Sequence, residues 1–592
     1  MQVGHLSVLG LPPFRWRRLS QTSRHGSTAD VQGAGGGSCP QGRQDVGGIV
    51  KNGLFKRKTK FFTWQKQSNI TWPKHSKSYA VKPNQKLADA LKSLKRLQDK
   101  HRGVIGSDDL KEAQRALLVE EGFLRPVMKG WYVCANPRDR EGDSTAWYAS
   151  FWSFLAGYLT KRFGKRYCLN VEASLLLHTR STVIPRQVTV IAREGGTSVL
   201  DLPHGTSLLI YPDEKAIPKK REDIDGLQVF PLSETLCKLA PRAFRNLSRE
   251  AEIALGLVRD PGDLLSVLLA GDGLPAAAGR LAGALRFAGR AEEADRILVT
   301  MRQAKYELRE SNPFEIAAPR LGSTRERSPY VMRLQSLWAG WRDDVLSIFP
   351  TAPGLPLSAR DYLRNVADRY REDAYNSLSI EGYQVNDALI DRVAKSGWNP
   401  DGNAEDKRDR DALAARGYFQ AFEAVKGGIT QILAGKNSGQ VVRVDHHRWY
   451  GELFAPAVTL GILEPHQLAG YRSGPVYIRN SMHTPLPREA LVDAMQTLFD
   501  LLSHEPEPAV RAVLGHHLFV FIHPYFDGNG RIGRFLLNAM LASGGYPWTV
   551  VRVKRRDAYM AALESASVEG DIKPFARFLV EEMQEREGAA FA

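Results

Sequence analysis

Cysteine is scarce in this 592-residue sequence. There are four, Cys39, Cys134, Cys168 and Cys237, and none forms a C-x-x-C pair. This excludes a disulfide framework and a thiolate zinc site, and a reducing cytoplasmic compartment is expected. Long apolar runs are also missing. The most hydrophobic stretch, Ala146–Leu159, is too short to span a bilayer and is followed by Lys161 and Arg162, so neither a membrane segment nor a signal peptide is expected. Acid is nearly absent from residues 1–80, where thirteen Lys and Arg stand against Asp30 and Asp45. That segment therefore holds +11 of the formal +16, leaving +5 for the other 512 residues. The basicity belongs to one tail and is not a global signal for nucleic acid. Rich in Gly, Ser, Gln and Lys and without periodicity, residues 1–80 are expected to be a disordered basic tail, as a leader or as an arm touching nucleic acid.

The length of the rest implies several domains. Leu87, Leu91, Leu94 and Leu97 fall at helical spacing. A second helix is expected after the acids of "GSDDL", with Ser107 as its N-cap, ending at Gly122. Two short extended runs follow around Pro126 and Gly130. Helix, turn, helix and β-ribbon is the order of a winged helix-turn-helix over residues 81–138, a candidate DNA-binding element. Its second helix carries Lys111 and Arg115 but also Glu112, Glu120 and Glu121, which is poor electrostatics for a phosphate backbone. "RQVTVIA" and "TSLLIYP" predict strands of a mixed α/β domain over 139–310, ending in several short helices. Together "RGVIGSDDLKEAQRALLVEEGFLRPVMKGWYV" and "NVEASLLLHTRSTVIPRQVTVIARE" resemble the AbiEi-type antitoxins and related regulators, which pair a winged helix with such a domain. A linker-like break falls at 310–329, and the pattern from 320 to 592 is almost wholly helical.

Within "HPYFDGNGRIGR" (His523–Arg534) lies G-x-G-x-x-G, at Gly528, Gly530 and Gly533. A dinucleotide fingerprint needs a preceding strand and an acid about 20 residues on. Instead Val510, Val513, Leu514, His517, Leu518 and Phe521 form a helical stripe before it, His517 reading as a packed core residue. No Asp or Glu occurs from Gly528 to Arg556. What remains is helix, glycine loop, helix, whose N–H groups and positive helix end suit an anion. His523 supplies a possible base, Asp527 a hard oxygen ligand, and Arg531 and Arg534 two cations, a set suited to phosphoryl transfer.

The same residues resemble the H-P-F-x-D-G-N-G-R-x-x-R signature of the Fic domain, with Tyr525 in place of the usual phenylalanine. The likeness runs from about Arg320 to the end. It implies a mainly α fold, a helical bundle with a β-hairpin flap, and transfer of AMP from ATP to a Tyr, Thr or Ser hydroxyl of a protein target. By position, His523 would be the general base and Asp527 would hold Mg²⁺. Gly528, Asn529 and Gly530 would cradle the phosphates, with Arg531 on the β- and Arg534 on the γ-phosphate. Tyr559 would lie near adenine. "GYRSGPVYIRNSMHTPLP" resembles the family's flap, in which Val476, Tyr477, Ile478 and Arg479 would align the target by strand addition. A homodimer is admitted by the resemblance.

About 140 residues earlier, in "NSLSIEG", Ser377 and Glu381 lie one helical turn apart and Gly382 is a helix stop. The stretch resembles the family's inhibitory pattern S/T-x-x-x-E-G/N. It implies that Glu381 pairs with Arg534 and takes the place of the γ-phosphate. Two other functions stay open: AMP removal in which Glu381 activates water, and a DNA-binding regulator with a nucleotide-sensing Fic domain.

Overall fold

In the computed structural model, the described residues are 83–592 except 102, 138–141, 271–272, 317, 323–327, 396–409 and 590–592. The basic tail expected over residues 1–80 lies outside them.

The leucine stripe forms as expected on the helix Pro83–His101. It packs with Leu110, Leu118, Leu124 and Cys134 into a small core. Strands β1 (Val104–Gly106), β2 (Leu124–Met128) and β3 (Trp131–Cys134) make an antiparallel sheet of order β1-β3-β2. The second helix begins later than the sequence suggests, at Glu112, and Ser107 does not cap it. The cause is local: the Asp109 carboxylate accepts the Gly106 N–H at 2.7 Å and closes a turn where the first helical turn was expected. Arg115 spends its guanidinium on Ser107 O at 2.6 Å and on the Tyr132 ring. One of the two cations expected to face DNA is thus used inside the module.

The apolar stretch at 146–159 lies in the helix Thr145–Phe163. Its Trp147, Phe151, Phe154 and Leu159 cover a mixed sheet, which accounts for its hydrophobicity without a membrane; among the described residues no helix is long and apolar enough to cross one. The sheet order is β4-β5-β7-β6, from β4 (Tyr167–Leu169), β5 (Gln187–Ala192), β6 (Ser198–Leu202) and β7 (Thr206–Pro212). β5 and β7 run parallel; β4 and β6 pair antiparallel with them. A ribbon of β8 (Glu222–Ile224) and β9 (Leu227–Val229) follows. Six short helices between Leu232 and Gln303 form a separate apolar core. The linker-like stretch is partly tethered: Ser311 N–H bonds Gly279 O at 3.2 Å, and a Cβ on Gly279 or Gly283 would collide with the backbone of Arg309 or Ser311.

From Pro329 onward the described residues are mainly helical. Pro508–Ile522 and Asn529–Ala542 are buried on nearly every side at the middle of the largest core, as expected of helices apolar around their circumference. Residues 84–592 form one compact unit. Buried Arg333, on the helix Pro329–Leu346, joins its two ends with an ion pair to Glu250 at 2.9 Å and a bond to Thr179 O at 3.1 Å.

The expected β-hairpin flap does not form. Residues 472–487 are irregular, because their backbone groups bond elsewhere. Ile184 N–H donates to Met482 O at 3.1 Å and Thr484 N–H to Thr182 O at 2.7 Å, around an antiparallel bridge between Val183 and His483. Glu564 accepts from Ser481 Oγ at 2.5 Å and from Met482 N–H at 2.9 Å.

Candidate active site

His523 ends the helix Pro508–Ile522 in the left-handed region, at φ 56° and ψ 61°. Few non-glycine residues adopt this conformation, which re-aims the chain sharply. Its Nδ1 lies 3.0 Å from Val520 O. A carbonyl only accepts, so Nδ1 carries the ring proton and Nε2 presents a lone pair. Desolvation pushes the imidazole pKa down to about 4, so the ring is neutral at pH 7.

The loop then turns through Gly528 at φ 82°. Asp527 Oδ1 accepts the Gly528 N–H at 2.6 Å and Oδ2 faces Arg531 Nη2 at 3.0 Å. Asn529, expected to touch phosphate, uses its side chain to staple the loop: Oδ1 accepts Tyr525 N–H at 2.9 Å and Nδ2 donates to Tyr525 O at 2.8 Å. The hydroxyl by which Tyr525 differs from phenylalanine meets His447 Nδ1 at 3.0 Å, and its ring stacks on Tyr450 at 3.8 Å.

Arg531 is fully buried between the rings of Tyr383 and Phe454, each 5.3 Å from the guanidinium. Arg534, also buried, donates through Nε to Ser377 Oγ at 2.9 Å and through Nη2 to Ser377 O at 3.1 Å and Glu381 Oε1 at 2.8 Å. Ser377, Glu381 and Arg534 therefore meet. Gly382, at φ 86°, stops the helix just past Glu381. Gly530 makes the approach possible, since a Cβ there would sit 2.5 Å from Glu381 Oε1. Arg531 Nε and Arg534 Nη1 are buried with no hydrogen-bond acceptor among the described residues. Two buried cations with unanswered N–H groups, beside a helix N-terminus, fit a polyphosphate.

Tyr559 is not placed as a neighbour open to adenine. It is buried, its hydroxyl 2.8 Å from His516 Nε2, and burial pushes its pKa up to about 12. Along the irregular flap, Val476 is buried. Tyr477 and Ile478 are half-buried. Arg479 pairs with the buried Asp143 at 3.0 Å. His516 and His517 are both buried in the core. Three contributors carried no motif in the sequence: Tyr383 and Phe454, which sandwich Arg531, and Arg472, which bonds the carbonyl of His523 at 2.7 Å.

A neutral imidazole, a glycine turn at a helix N-terminus and two buried guanidiniums stand together here, an arrangement suited to an anion. The Fic/DOC family matches residues 450–541, so the chain carries a Fic domain there. Similar proteins include the protein adenylyltransferase Fic of Nematostella vectensis, 30% identical over 242 residues, which are 40% of this chain and 51% of that protein. The protein adenylyltransferase fic-1 of Caenorhabditis elegans is 33% identical over 124 residues, 20% of this chain and 24% of that one. The chain thus spans about half the length of the Nematostella relative it matches. The solved Fic-1 (aa134–508) of C. elegans aligns over 61% of this chain and 92% of that one, at 19% identity and a TM-score of 0.33.

Proposed function

We propose that the protein is an adenylyltransferase that moves AMP from ATP to a hydroxyl side chain of a protein, and that it is held inactive by Glu381. The observation that carries this reading is the 2.8 Å contact between Glu381 Oε1 and Arg534 Nη2, set above a loop whose histidine presents an unprotonated Nε2. The relatives named above as protein adenylyltransferases support it.

In the reaction, the target hydroxyl oxygen attacks the α-phosphorus of ATP. The bond from that phosphorus to the oxygen bridging the β-phosphorus breaks, and pyrophosphate leaves. Nε2 of His523 takes the hydroxyl proton, acting as a general base already neutral at the working pH. Arg531 and the N–H groups of Asn529 and Gly530 at the helix start hold the anionic phosphates in place, so most of the catalysis is positioning and charge stabilisation. Asp527, whose carboxylate is half-exposed, is the residue that would hold Mg²⁺, and the ion would supply charge neutralisation. With Glu381 on Arg534, the γ-phosphate cannot use that guanidinium, and ATP would bind out of line.

The test is incorporation of label from ATP carrying radioactive phosphorus at the α-position, with Mg²⁺. Wild type is expected to be nearly silent, Glu381→Gly active, and Glu381→Gly with His523→Ala silent again. Absence of label in all three refutes the transferase reading.

A further inference from the structure

Arg472 makes a pattern of bonds that the phosphate site alone does not require. It is 4% exposed. Its Nε donates to His523 O at 2.7 Å, its Nη1 to Gly474 O at 2.8 Å and its Nη2 to Leu486 O. Its own N–H donates to Pro524 O at 2.9 Å. One side chain therefore holds both ends of the flap, at 474 and 486, and the backbone of the catalytic histidine. These bonds fall where His523 sits at φ 56°, a conformation that persists only when its surroundings over-determine it. A planar guanidinium can reach three carbonyls at once in fixed directions, whereas an ammonium cannot.

We infer that Arg472 is a positioning residue that couples the target-aligning flap to the base, so that a displaced flap also displaces His523. This rests on the reading of His523 as base and of residues 476–479 as the flap. The carbonyl contact and the left-handed turn are independent observations, and both point to the same function: keeping Nε2 in register with the hydroxyl that the flap presents. The charged and titratable groups facing His523 are Arg472 from the flap base, His483 from the far end of the flap, Glu381 from the inhibitory helix and Asp527 from the loop. Of these, Arg472 lowers the imidazole's proton affinity, while Glu381 and Asp527 raise it.

The experiment compares Arg472→Ala and Arg472→Lys in full-length Glu381→Gly protein, with melting temperature to verify folding. Three readouts are taken: labelling from α-labelled ATP, the calorimetric affinity for ATP with Mg²⁺, and the NMR titration of the His523 ring in protein with carbon-13-labelled histidine, assigned by its loss in His523→Ala. Arg472→Ala is expected to lower the labelling rate about 100-fold, as misplacement of a reacting group by about 1 Å does, with ATP affinity unchanged within about twofold. The His523 midpoint should rise, because a neighbouring cation has been removed. Arg472→Lys, which keeps the charge without the fork, should hold the midpoint and still lose the rate. Parent-like labelling with an unshifted midpoint in Arg472→Ala overturns the inference. Should Arg472→Ala fail to fold, parent-like labelling by Arg472→Lys overturns it and lost labelling with an unmoved midpoint sustains it. Should the Glu381→Gly parent itself not label, the transferase reading has failed, and amide hydrogen exchange decides the coupling: faster exchange in Arg472→Ala both along 474–486 and at His523 sustains it, and exchange unchanged at either overturns it.

Discussion

Replacing Glu381 in two steps separates charge from occupancy. Arg534 is 3% exposed and Glu381 28% in their side chains, and the contact is 2.8 Å. Breaking a buried ion pair costs about 3–5 kcal/mol because one charge is stranded. Here Arg534 keeps Ser377 Oγ and Ser377 O, and water reaches Glu381, so the lower end, about 3 kcal/mol, applies. Glu381→Gln retains an acceptor of the same shape. Arg534 stays charged, so its bond to the neutral amide oxygen is still worth about 1.5 kcal/mol as a bond to a charged group, which retains about half of the interaction and gives up roughly 1.5 kcal/mol. At about 1.4 kcal/mol per factor of ten, Glu381→Gly should label roughly 100-fold faster than wild type and Glu381→Gln roughly tenfold faster. Initial rates are to be measured at ATP concentrations below KM, where displacement of the carboxylate by phosphate is felt. Equal rates for Gln and Gly would show that charge pairing is not what restrains the enzyme. Rates equal to wild type for both would remove the brake altogether.

Further outcomes follow from neighbouring contacts. Gly530→Ala places a Cβ 2.5 Å from Glu381 Oε1 and should cost about 1–3 kcal/mol in wild type, as overpacking does, but little in Glu381→Gly; thermal unfolding of the four proteins checks this. Tyr418→Phe removes the 2.6 Å bond to Asp373 Oδ2. Burial raises that carboxyl's pKa to about 6, so the loss, about 1–3 kcal/mol for an unanswered buried group, should appear in urea unfolding at pH 8 and shrink at pH 5, where Asp373 is protonated. His446, His483, His516 and His517 are buried, and desolvation lowers their pKa values to about 3, 3, 4 and 3. The unfolded chain binds these protons near pH 6.5 and the folded one does not. Stability is therefore fully present above pH 6.5 and falls as pH drops towards 4, by up to about 1.4 kcal/mol per histidine per pH unit. A stability flat between pH 7 and 5 in urea titrations refutes it.

Legibility of the site tracked how local each interaction is. The helix–loop–helix around His523–Arg534 could be read because its glycines, its acid-free flank and two apolar stripes lie within one short stretch. The meeting of Ser377 and Glu381 with Arg534 could be expected because a helical turn sets the first two on one face and the motif names the third. Arg472 could not be found this way. A lone arginine before Ser-Gly-Pro carries no periodicity, and its acceptors are carbonyls, which any residue supplies. The side chain of Asn529 was hard to place for a related reason: its amide can bind phosphate or backbone, and only the turn geometry puts Tyr525's N–H and C=O within its reach. The hairpin expected over the flap failed because Thr182–Ile184, almost 300 residues upstream, compete for the backbone at 482–484, a partner invisible to local pattern. Ser107 has no helix to cap, because Asp109, two residues on, closes a turn by accepting the Gly106 N–H, and the helix starts only at Glu112 with no side-chain cap.

The pairing of Thr182–Ile184 with Met482–Thr484 also bears on how this protein can be divided. A fragment beginning near Arg320 would keep the whole phosphate site. It would also leave Met482 O and the Thr484 N–H without the partners that Ile184 and Thr182 supply, and would lose the acceptor that Asp143 offers to Arg479. Unpaired edges of this kind recruit other chains. The upstream half thus fixes the far end of the flap as well as packing beside it, and shortening the protein to its most recognisable part removes those anchors.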